Sequence, residues 1–393
     1  MNDHLQAIAA DTELHQQMRH WRRDLHAHPE TAFEEVRTAA RVAELLTSFG
    51  LEVHTGLATT GVVATLKGRL PGDAMIALRA DMDALNLHEL NTFAHCSRHP
   101  GKMHGCGHDG HTAMLLGAAA YLAQQPDFAG TVVFIFQPAE EGHAGARVMC
   151  EEGLFERFPA TAVYGMHNWP GLAAGEFAVH NGPVMASMDK LYIDITGDGG
   201  HAAMPHLGCD PVLVAGHLIT ALQSVVSRNL DPQQSAVVSV TTMHGGDAHN
   251  VIPETVTLSG TCRSFDPAVQ AMLEQRIGEQ VQHICAAFGA RGELRYERHY
   301  PATINNPEHA GICADIARQL VGAEQVQRAM PPSMGAEDFA FMLQQRPGAY
   351  IWLGNGQTGE GHGLHNPHYD FNDEILPLGA SYWVALVQAQ LKD

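Results

Sequence analysis

The chemically richest stretch of the sequence is MHGCGHDGHTAML at residues 103–115, which contains three histidines, a cysteine and an aspartate. Thiolate and imidazole groups both bind zinc and related divalent ions well, so one interpretation is a metal site. A second interpretation is a cysteine nucleophile, with Cys106 activated by His104 or His108. A third is a polar loop that is rich in histidine and has no special chemistry.

Two glycines determine how this stretch folds. His104 and His108 have the i, i+4 spacing at which two histidines on one helix share a metal ion. A glycine stands on either side of Cys106, and each disfavours helix by about 1 kcal/mol relative to alanine. We therefore predict a loop in which Gly107 lets Cys106 and His108 converge, with a helix beginning near Asp109. The other polar residues of the stretch are predicted to support the loop: His104, Asp109 and His111.

More groups of this kind follow the strands that the sequence predicts. These strands are the apolar runs at 75–80, 131–136, 161–166 and 349–354. The polar residues that follow them are, in the same order, Asp81 with Asp83, Glu140 with Glu141, His167, and His365. Ligands of an open α/β sheet bind beyond the carboxyl ends of its strands, so we expect these residues to meet there. A metal hydrolase needs one carboxylate to hold the ion and another to take a proton from water, and Glu140 and Glu141 fit that division.

The elements around these residues predict an α/β catalytic domain. Helices are predicted at 12–28, 31–50, 112–125 and 379–393, and a further strand at 61–68. The second helix is expected to begin with a capping box of Thr31 and Glu34 and to end at Gly50. Because apolar, β-branched strands alternate with helices, the sheet is predicted to be mainly parallel.

The middle of the chain has a different pattern. Runs of alternating apolar and polar residues predict half-exposed strands at 191–197, 236–246, 255–265 and 293–300, with helices at 211–229 and 267–289. This order of elements is typical of a small α+β sandwich. We therefore predict a catalytic domain in two parts, 1–186 and 299–393, with an inserted α+β domain at 187–298.

The composition narrows the functional class. The chain has 393 residues and a net charge of −20, from 43 acidic and 23 basic residues. Nucleic acids and anionic membranes both attract basic surfaces, so neither is an expected partner. No apolar run is long enough to span a bilayer, and no signal peptide is predicted. The seven cysteines form no CxxC pair, which favours reduced thiols and a cytoplasmic protein.

Motifs along nearly the whole chain resemble one family. They are, in order, RRDLHAHPETAFEE, GKMHGCGHDGHTAMLLGAA, FQPAEEG, GMHNWPG, GHAAMPHLGCDPV, HNVIPETVTLSGTCRS, MGAEDFAFM and GLHNPHYDFND. The sequence is similar to the dinuclear-metal amidohydrolases that include hippurate hydrolase, N-acyl-amino-acid amidohydrolases (aminoacylases) and indole-acetyl-amino-acid hydrolases. The resemblance implies that an N-benzoyl-, N-acetyl- or similar N-acyl amino acid is cleaved to a carboxylic acid and a free amino acid. It also implies two divalent metal ions per subunit, zinc or manganese first, with cobalt and nickel as alternatives.

The resemblance assigns roles residue by residue. It implies one set of metal ligands: Cys106, His108, Glu141, His167 and His365. Glu140 is implied as the general acid and base, and His201 as a histidine that reaches the substrate carbonyl oxygen. Two residues are implied to bind the substrate carboxylate or to shape the site: Asn250 and Arg263. Asp81 stands where related peptidases carry a metal-binding histidine, which implies that Cys106 or His108 takes over that contact.

Three alternatives stay open from the sequence. A metallo-dipeptidase or carboxypeptidase of the same family would cleave an ordinary peptide bond. A cysteine-nucleophile hydrolase would survive strong chelators, but it leaves the two glutamates and the distant histidines unexplained. A non-catalytic metal-binding or transport protein would explain the ligands, but it does not require an unligated carboxylate, Glu140, beside one of them. In the favoured interpretation the inserted domain closes over the substrate or pairs two subunits as a homo-oligomer.

Overall fold

The computed structural model describes residues 12–356 and 363–392 and divides the chain into two compact units. The first unit contains the described residues up to Gly182, Ile304–Pro331, and the described residues from Asp338 onward. The second unit contains Pro183–Thr303 and Pro332–Glu337. This division differs from the predicted one, 187–298, by a few residues at each boundary and by the short later segment. That segment joins the second unit through backbone bonds, since Ala186 donates its N–H to the carbonyl of Ser333 at 3.0 Å.

The helices are numbered in chain order. They are α1 (Glu13–Ala27), α2 (Val36–Ser48), α3 (His108–Gln124), α4 (Glu140–His143), α5 (Gly145–Glu151), α6 (Leu154–Arg157), α7 (Pro211–Ser224), α8 (Pro267–Ala287), α9 (Pro307–Val321), α10 (Ala340–Gln345) and α11 (Leu376–Gln390).

The strands are numbered in the same way. They are β1 (Glu52–Leu57), β2 (Gly61–Lys67), β3 (Leu70–Asp81), β4 (Ala129–Gln137), β5 (Ala162–Pro170), β6 (Phe177–Ala178), β7 (Pro183–Met185), β8 (Met188–Thr196), β9 (Gly200–His201), β10 (Ala236–His244), β11 (Val251–Ile252), β12 (Thr255–Ser264), β13 (Arg291–Tyr300), β14 (Thr303–Ile304), β15 (Val326–Gln327) and β16 (Gly348–Gly356).

The first unit is built on one eight-stranded mixed sheet, in the order β1-β2-β4-β3-β5-β16-β6-β15. The central strands β4, β3, β5 and β16 run parallel to their neighbours within this group. Strands β1 and β2 complete one side with antiparallel pairing. Because the central strands are parallel, their carboxyl ends lie at one edge of the sheet, where ligands of such sheets bind. The prediction of an α/β catalytic domain with a largely parallel sheet is confirmed.

Helix α3 is the central helix of the first unit. Every residue from His108 to Leu122 is buried, and its sequence accordingly lacks a polar face. It packs against α1 and α11. At Gly117 a Cβ atom would overlap the side chain of Met18, so this glycine lets α1 approach closely. A helix held on all sides in this way gives the histidine at its first position a fixed place.

Helix α2 begins later than the sequence predicts. The prediction of a capping box formed by Thr31 and Glu34 is wrong, because the helix starts only after both residues. The carboxylate of Glu30 instead accepts the N–H groups of Arg37 and Thr38, at 3.1 and 2.8 Å. A glutamate side chain is long enough to cap the first turn from outside the helix, and it takes the role that was assigned to the nearer threonine.

The second unit contains a four-stranded antiparallel sheet in the order β10-β12-β8-β13. Helices α7 and α8 pack on it around a core that includes Leu191, Ile193, Leu218, Leu273 and Ile277. The order of strands and helices along the chain is the one that the sequence predicts. The helix predicted at 211–229 is interrupted, since α7 ends at Ser224 and continues as a π-helical turn, Val225–Asn229.

One arginine is buried among carboxylates at the carboxyl end of β3. Arg79 is 1% exposed, and its guanidinium donates to Asp81, Gln137 and Asp338 at 2.7, 2.7 and 3.1 Å. Asp81 and Asp338 are fully buried as well. A buried carboxylate without a compensating cation is strongly unfavourable, so Arg79 is what allows both aspartates to lie here.

We predict that Arg79→Leu destabilises the first unit by about 3–5 kcal/mol, because it removes the buried cation that balances two buried carboxylates. Urea unfolding followed by tryptophan fluorescence measures this, since Trp21, Trp169, Trp352 and Trp383 all belong to the first unit. The control is Arg41→Leu, which removes a partly exposed ion pair with Glu44 on α2 and costs less than about 1 kcal/mol. Equal stabilities of the two variants would contradict the conclusion that Arg79 compensates the two buried aspartates.

Candidate metal centre

Gly107 makes the turn that brings Cys106 and His108 together. Its φ of 91° lies in the left-handed region, and it caps the amino end of α3. A Cβ atom at this position would overlap the side chains of Asn168 and Tyr369, so only glycine fits. Cys106 is 7% exposed and His108 1% exposed. The predicted loop around Gly105 and Gly107 thus brings the side chains of Cys106 and His108 together in the protein interior.

Strand β5 supplies a second imidazole to the same place. Nε2 of His167 lies 3.3 Å from Sγ of Cys106. Nδ1 of His167 donates to the carbonyl of Asn168 at 2.6 Å, which leaves the Nε2 lone pair facing the thiol. Burial and the neighbouring His111 hold the pKa of His167 well below its usual range, so the ring is neutral. A neutral imidazole whose other nitrogen donates to a carbonyl is the arrangement of a metal-binding histidine.

His108 is oriented in the same manner. Its Nδ1 donates to the carbonyl of Asp83 at 2.9 Å, and among the described residues its buried Nε2 has no hydrogen-bond partner. Burial lowers the pKa of His108, but the negative charges of Asp81 and Asp83 outweigh burial and raise it to about 10. The surroundings of Nε2 therefore favour a positive charge at this point, either a proton or a metal ion.

Glu141 and His365 form the far side of the group. Asp83 accepts the backbone N–H of Glu141 at 2.9 Å, and Oε1 of Glu141 lies 3.2 Å from Nε2 of His365. The backbone of His365 has a φ of 62°, and its N–H donates to the carbonyl of Gly105 at 2.8 Å. The loop of residues 103–108 thus fixes the position of a histidine that is distant in sequence.

These side chains form two overlapping sets of ligand atoms, and within each set the atoms lie within 4.8 Å of one another. One set is Cys106, His108 and His167, and the other is Cys106, Glu141 and His365. Thiol, imidazole and carboxylate together suit divalent transition metals. The partnerless Nε2 of His108 supports the same conclusion, since a buried nitrogen without a hydrogen bond is costly unless it binds something. The residues present therefore fit two divalent ions.

Asp81 and His111 have supporting places beside these sets. His111 donates from Nδ1 to Asp81 at 2.6 Å, and its Nε2 accepts the backbone N–H of Asn168 at 2.9 Å. Asp81 also accepts a hydrogen bond from the guanidinium of Arg79, which balances its negative charge. The supporting role predicted for His111 agrees with these bonds. His104 is buried too, and burial lowers its pKa to about 3, so it is neutral in the core.

Glu140 lies directly beside the candidate metal ligands. It is 6% exposed, and one of its oxygens lies within 4.8 Å of ligand atoms of His108 and Glu141. The backbone N–H of Asp338 donates to Oε1 of Glu140 at 3.4 Å. Sequence reasoning missed Asp338 and Arg79 as parts of this region. The MGAEDFAFM motif contained the signal for Asp338, whereas Arg79 sits within an apolar strand and gives none.

The surroundings of Cys106 do not favour a nucleophilic thiol. Burial raises the pKa of Cys106 well above its usual range, and the charges of Glu141, Glu140 and Asp81 raise it further. Nucleophilic cysteines instead have a lowered pKa, from positive neighbours or a helix amino end. A divalent cation held by this group would supply the positive charge that favours the thiolate form of Cys106.

Three residues with predicted roles lie in the second unit. His201 on β9 is exposed and pairs with Val251 on β11, directly after Asn250. The carbonyl of Asn250 accepts the N–H of Ala202 at 3.1 Å, so His201 and Asn250 are near neighbours. Arg263 lies on β12 and donates to the carbonyl of Cys262 at 3.0 Å. Their roles toward a substrate stay predictions.

Taken with its sheet, this group of side chains defines a class of protein, a metal-dependent hydrolase that acts on amide bonds. Residues 77–389 match the family described as Peptidase family M20/M25/M40, and the chain belongs to that family. In the part of the chain that the structure describes, no helix has the length and apolar character needed to cross a membrane.

Three similar proteins cover nearly all of the chain. Hippurate hydrolase of Campylobacter jejuni is 41% identical over 94% of this chain and 96% of its own length. An N-acetylcysteine deacetylase of Bacillus subtilis is 38% identical over 96% of this chain and 97% of its own. The crystal structure of a dinuclear metal-binding peptidase of family M20 from Bacillus subtilis superimposes with a TM-score of 0.85 at 34% identity, covering 97% and 99% of the two chains.

We predict that Cys106→Ala loses at least one of the two ions, because Cys106 belongs to both sets of ligand atoms. Elemental analysis of the purified protein measures the ions per chain. The control is Cys313→Ala, which removes another buried thiol, on α9, and leaves the metal content unchanged. Full metal content together with lost activity in Cys106→Ala would instead indicate a nucleophilic cysteine.

Proposed function

We propose that this chain hydrolyses the amide bond of N-acyl amino acids and releases a carboxylic acid and a free amino acid. The names of similar proteins support this substrate class, including hippurate hydrolase, N-acetylcysteine deacetylase and an IAA-amino acid hydrolase of Arabidopsis thaliana that is 38% identical. The observation that carries the proposal is a buried Glu140 beside the ligand atoms of His108 and Glu141.

The proposed ligands of the two ions are the side chains of the two overlapping sets, Cys106, His108, Glu141, His167 and His365. Divalent ions held by these residues would polarise the acyl carbonyl and lower the pKa of the attacking water. The thiol favours zinc, whereas the carboxylate also suits manganese, and cobalt or nickel are alternatives. We propose zinc or manganese as the native metal.

Glu140 moves the proton in this mechanism. Its carboxylate takes a proton from the attacking water and then gives it to the departing nitrogen. The second transfer is as necessary as the first, because an amine leaves readily only after its nitrogen has been protonated. The N–H of Asp338 at 3.4 Å from Oε1 supports this role, since it orients the carboxylate.

Residues of the second unit are proposed to recognise the substrate. Nδ1 of His201 accepts the N–H of Ala203 at 3.0 Å, so Nε2 carries the proton and can donate to the carbonyl oxygen as negative charge develops there. Asn250 and Arg263 are proposed to bind the substrate carboxylate or to shape the site around it. A guanidinium group can bind a carboxylate through two parallel hydrogen bonds, and Arg263 is half-buried on β12.

We further propose a cytoplasmic enzyme that forms a homo-oligomer through the second unit. All seven cysteines are free thiols, which supports a reducing compartment. The second unit exposes several large apolar side chains, among them Leu207, Leu213, Met243 and Val251, which supports association with another copy or closure over a substrate.

We predict that Glu140→Gln keeps both ions but lowers kcat by roughly 10²–10⁴-fold, because glutamine cannot carry the proton. Elemental analysis and steady-state kinetics are measured on the same preparation. The control is Glu44→Gln, at an exposed glutamate on α2, which leaves kcat unchanged. Turnover of Glu140→Gln close to that of the wild type would show that Glu140 is not the base.

We predict that metal-free protein reconstituted with zinc, manganese, cobalt or nickel hydrolyses N-benzoyl, N-acetyl or indole-acetyl amino acids. Free amino acid released from each substrate measures the rates. Unmodified dipeptides are the comparison, because a carboxypeptidase of Saccharolobus solfataricus is also 37% identical. Cleavage of dipeptides alone would favour that second function, and cleavage of no substrate with any ion would overturn the enzymatic proposal.

A further inference from the structure

The loop that carries Glu140 and Glu141 has a strained backbone. Ala139, immediately before Glu140, has φ 57° and ψ 38°, and Ala144 has φ 57° and ψ 48°. The left-handed conformation costs a residue other than glycine roughly 1–2 kcal/mol. Such conformations persist only where the surrounding structure enforces them. Some contact must therefore hold Ala139 in place.

A buried carboxylate from a distant part of the chain makes that contact. Oε1 of Glu35 accepts the backbone N–H of Ala139 at 2.9 Å, and Oε2 accepts the hydroxyl of Thr60 at 2.6 Å. Glu35 is 0% exposed and stands at the amino end of α2. Its carboxylate thus spans from the start of α2 to the residue that orients Glu140.

We propose that Glu35 is a positioning residue, whose carboxylate holds the left-handed turn at Ala139 and thereby aims Glu140 and Glu141 at the metal centre. This inference rests on the proposed role of Glu140 as the base. Glu35 itself contacts neither the substrate nor the metal in this account. It acts through one backbone hydrogen bond.

The cost of burying Glu35 supports a functional reason for its presence. Burial raises the pKa of Glu35 to about 7, and the charge of Asp83 adds to burial, although the hydroxyl of Thr60 and the N–H of Ala139 act in the opposite direction. A leucine or methionine in this place would lower the desolvation penalty. Residues that are unfavourable for stability occur chiefly at functional sites. Here the buried carboxylate stabilises the turn at Ala139.

Two other carboxylates hold the same loop by its backbone. Asp83 accepts the N–H of Glu141 at 2.9 Å, and Asp338 accepts the N–H of Ala146 at 2.8 Å. Each of these also bonds to another part of the site, Asp83 to His108 and Asp338 to Arg79. Substituting them would disturb several contacts at once. Glu35 bonds to Ala139 and Thr60, so it isolates the effect of loop position.

Three variants, assayed with saturating metal, separate the possible causes. Glu35→Met has a similar volume but no acceptor, and we expect kcat to fall roughly 10²-fold with KM changed less than about threefold. Glu35→Gln keeps an amide oxygen that can accept the N–H of Ala139, so we expect kcat within about threefold of the wild type. Thr60→Val removes the other bond of Glu35 and is expected to lower the melting temperature while kcat stays near the wild-type value.

Amide hydrogen exchange gives a readout that does not depend on activity. Peptides covering residues 138–146 are expected to exchange faster in Glu35→Met than in the wild type, and at the wild-type rate in Glu35→Gln. Unchanged kcat and exchange in Glu35→Met would overturn the proposal. So would equal losses in the methionine and glutamine variants, or an equal loss of kcat in Thr60→Val. A wild type that cleaves no N-acyl amino acid would instead refute the proposed function, and the exchange rates would still decide whether Glu35 holds the loop.

Discussion

Negative charge buried at the carboxyl edge of the central sheet is the constraint on which the first unit depends. The buried or partly buried carboxylates concentrated there are Asp81, Asp83, Glu140, Glu141 and Asp338. Each would be costly in a dry interior without compensation. Arg79 balances Asp81 and Asp338 from within the sheet. The charges of Asp81 and Asp83 still raise the pKa of His108. Burial, with the nearby carboxylates, raises the pKa of Cys106, so the surroundings of both side chains favour a divalent cation. Fold stability and metal binding therefore have one electrostatic origin.

Backbone conformation positions the side chains of the site. Gly107, Ala139 and His365 all have positive φ, and each stands in or next to the proposed metal ligands or the proposed base. Glycine adopts this conformation at little cost, but alanine and histidine require support. That support comes from hydrogen bonds to backbone N–H groups, from Glu35 to Ala139 and from the carbonyl of Gly105 to His365. The site is thus assembled from loops that are held by their main chains.

Much of this arrangement was accessible from the sequence, and the limits have physical reasons. Apolar strands followed by polar residues predicted which side chains meet, because parallel strands bring their carboxyl ends together. The glycines around Cys106 correctly predicted a loop. The predicted start of α2 was wrong, because the side chain of Glu30 caps the first turn from outside the helix. The bond between Glu35 and Ala139 was not predictable either, since it joins distant residues through a backbone N–H that has no sequence signature.

A titration of the metal-free protein with zinc or manganese tests whether the buried carboxylates build a catalytic site for two metal ions. Bound ions per chain and hydrolysis of an N-acyl amino acid are followed in the same samples. We expect negligible hydrolysis without metal, activity that rises with bound ions until two are held per chain, and loss of that activity when a strong chelator removes them. Hydrolysis by the metal-free protein at the rate of the loaded protein would contradict metal-dependent catalysis.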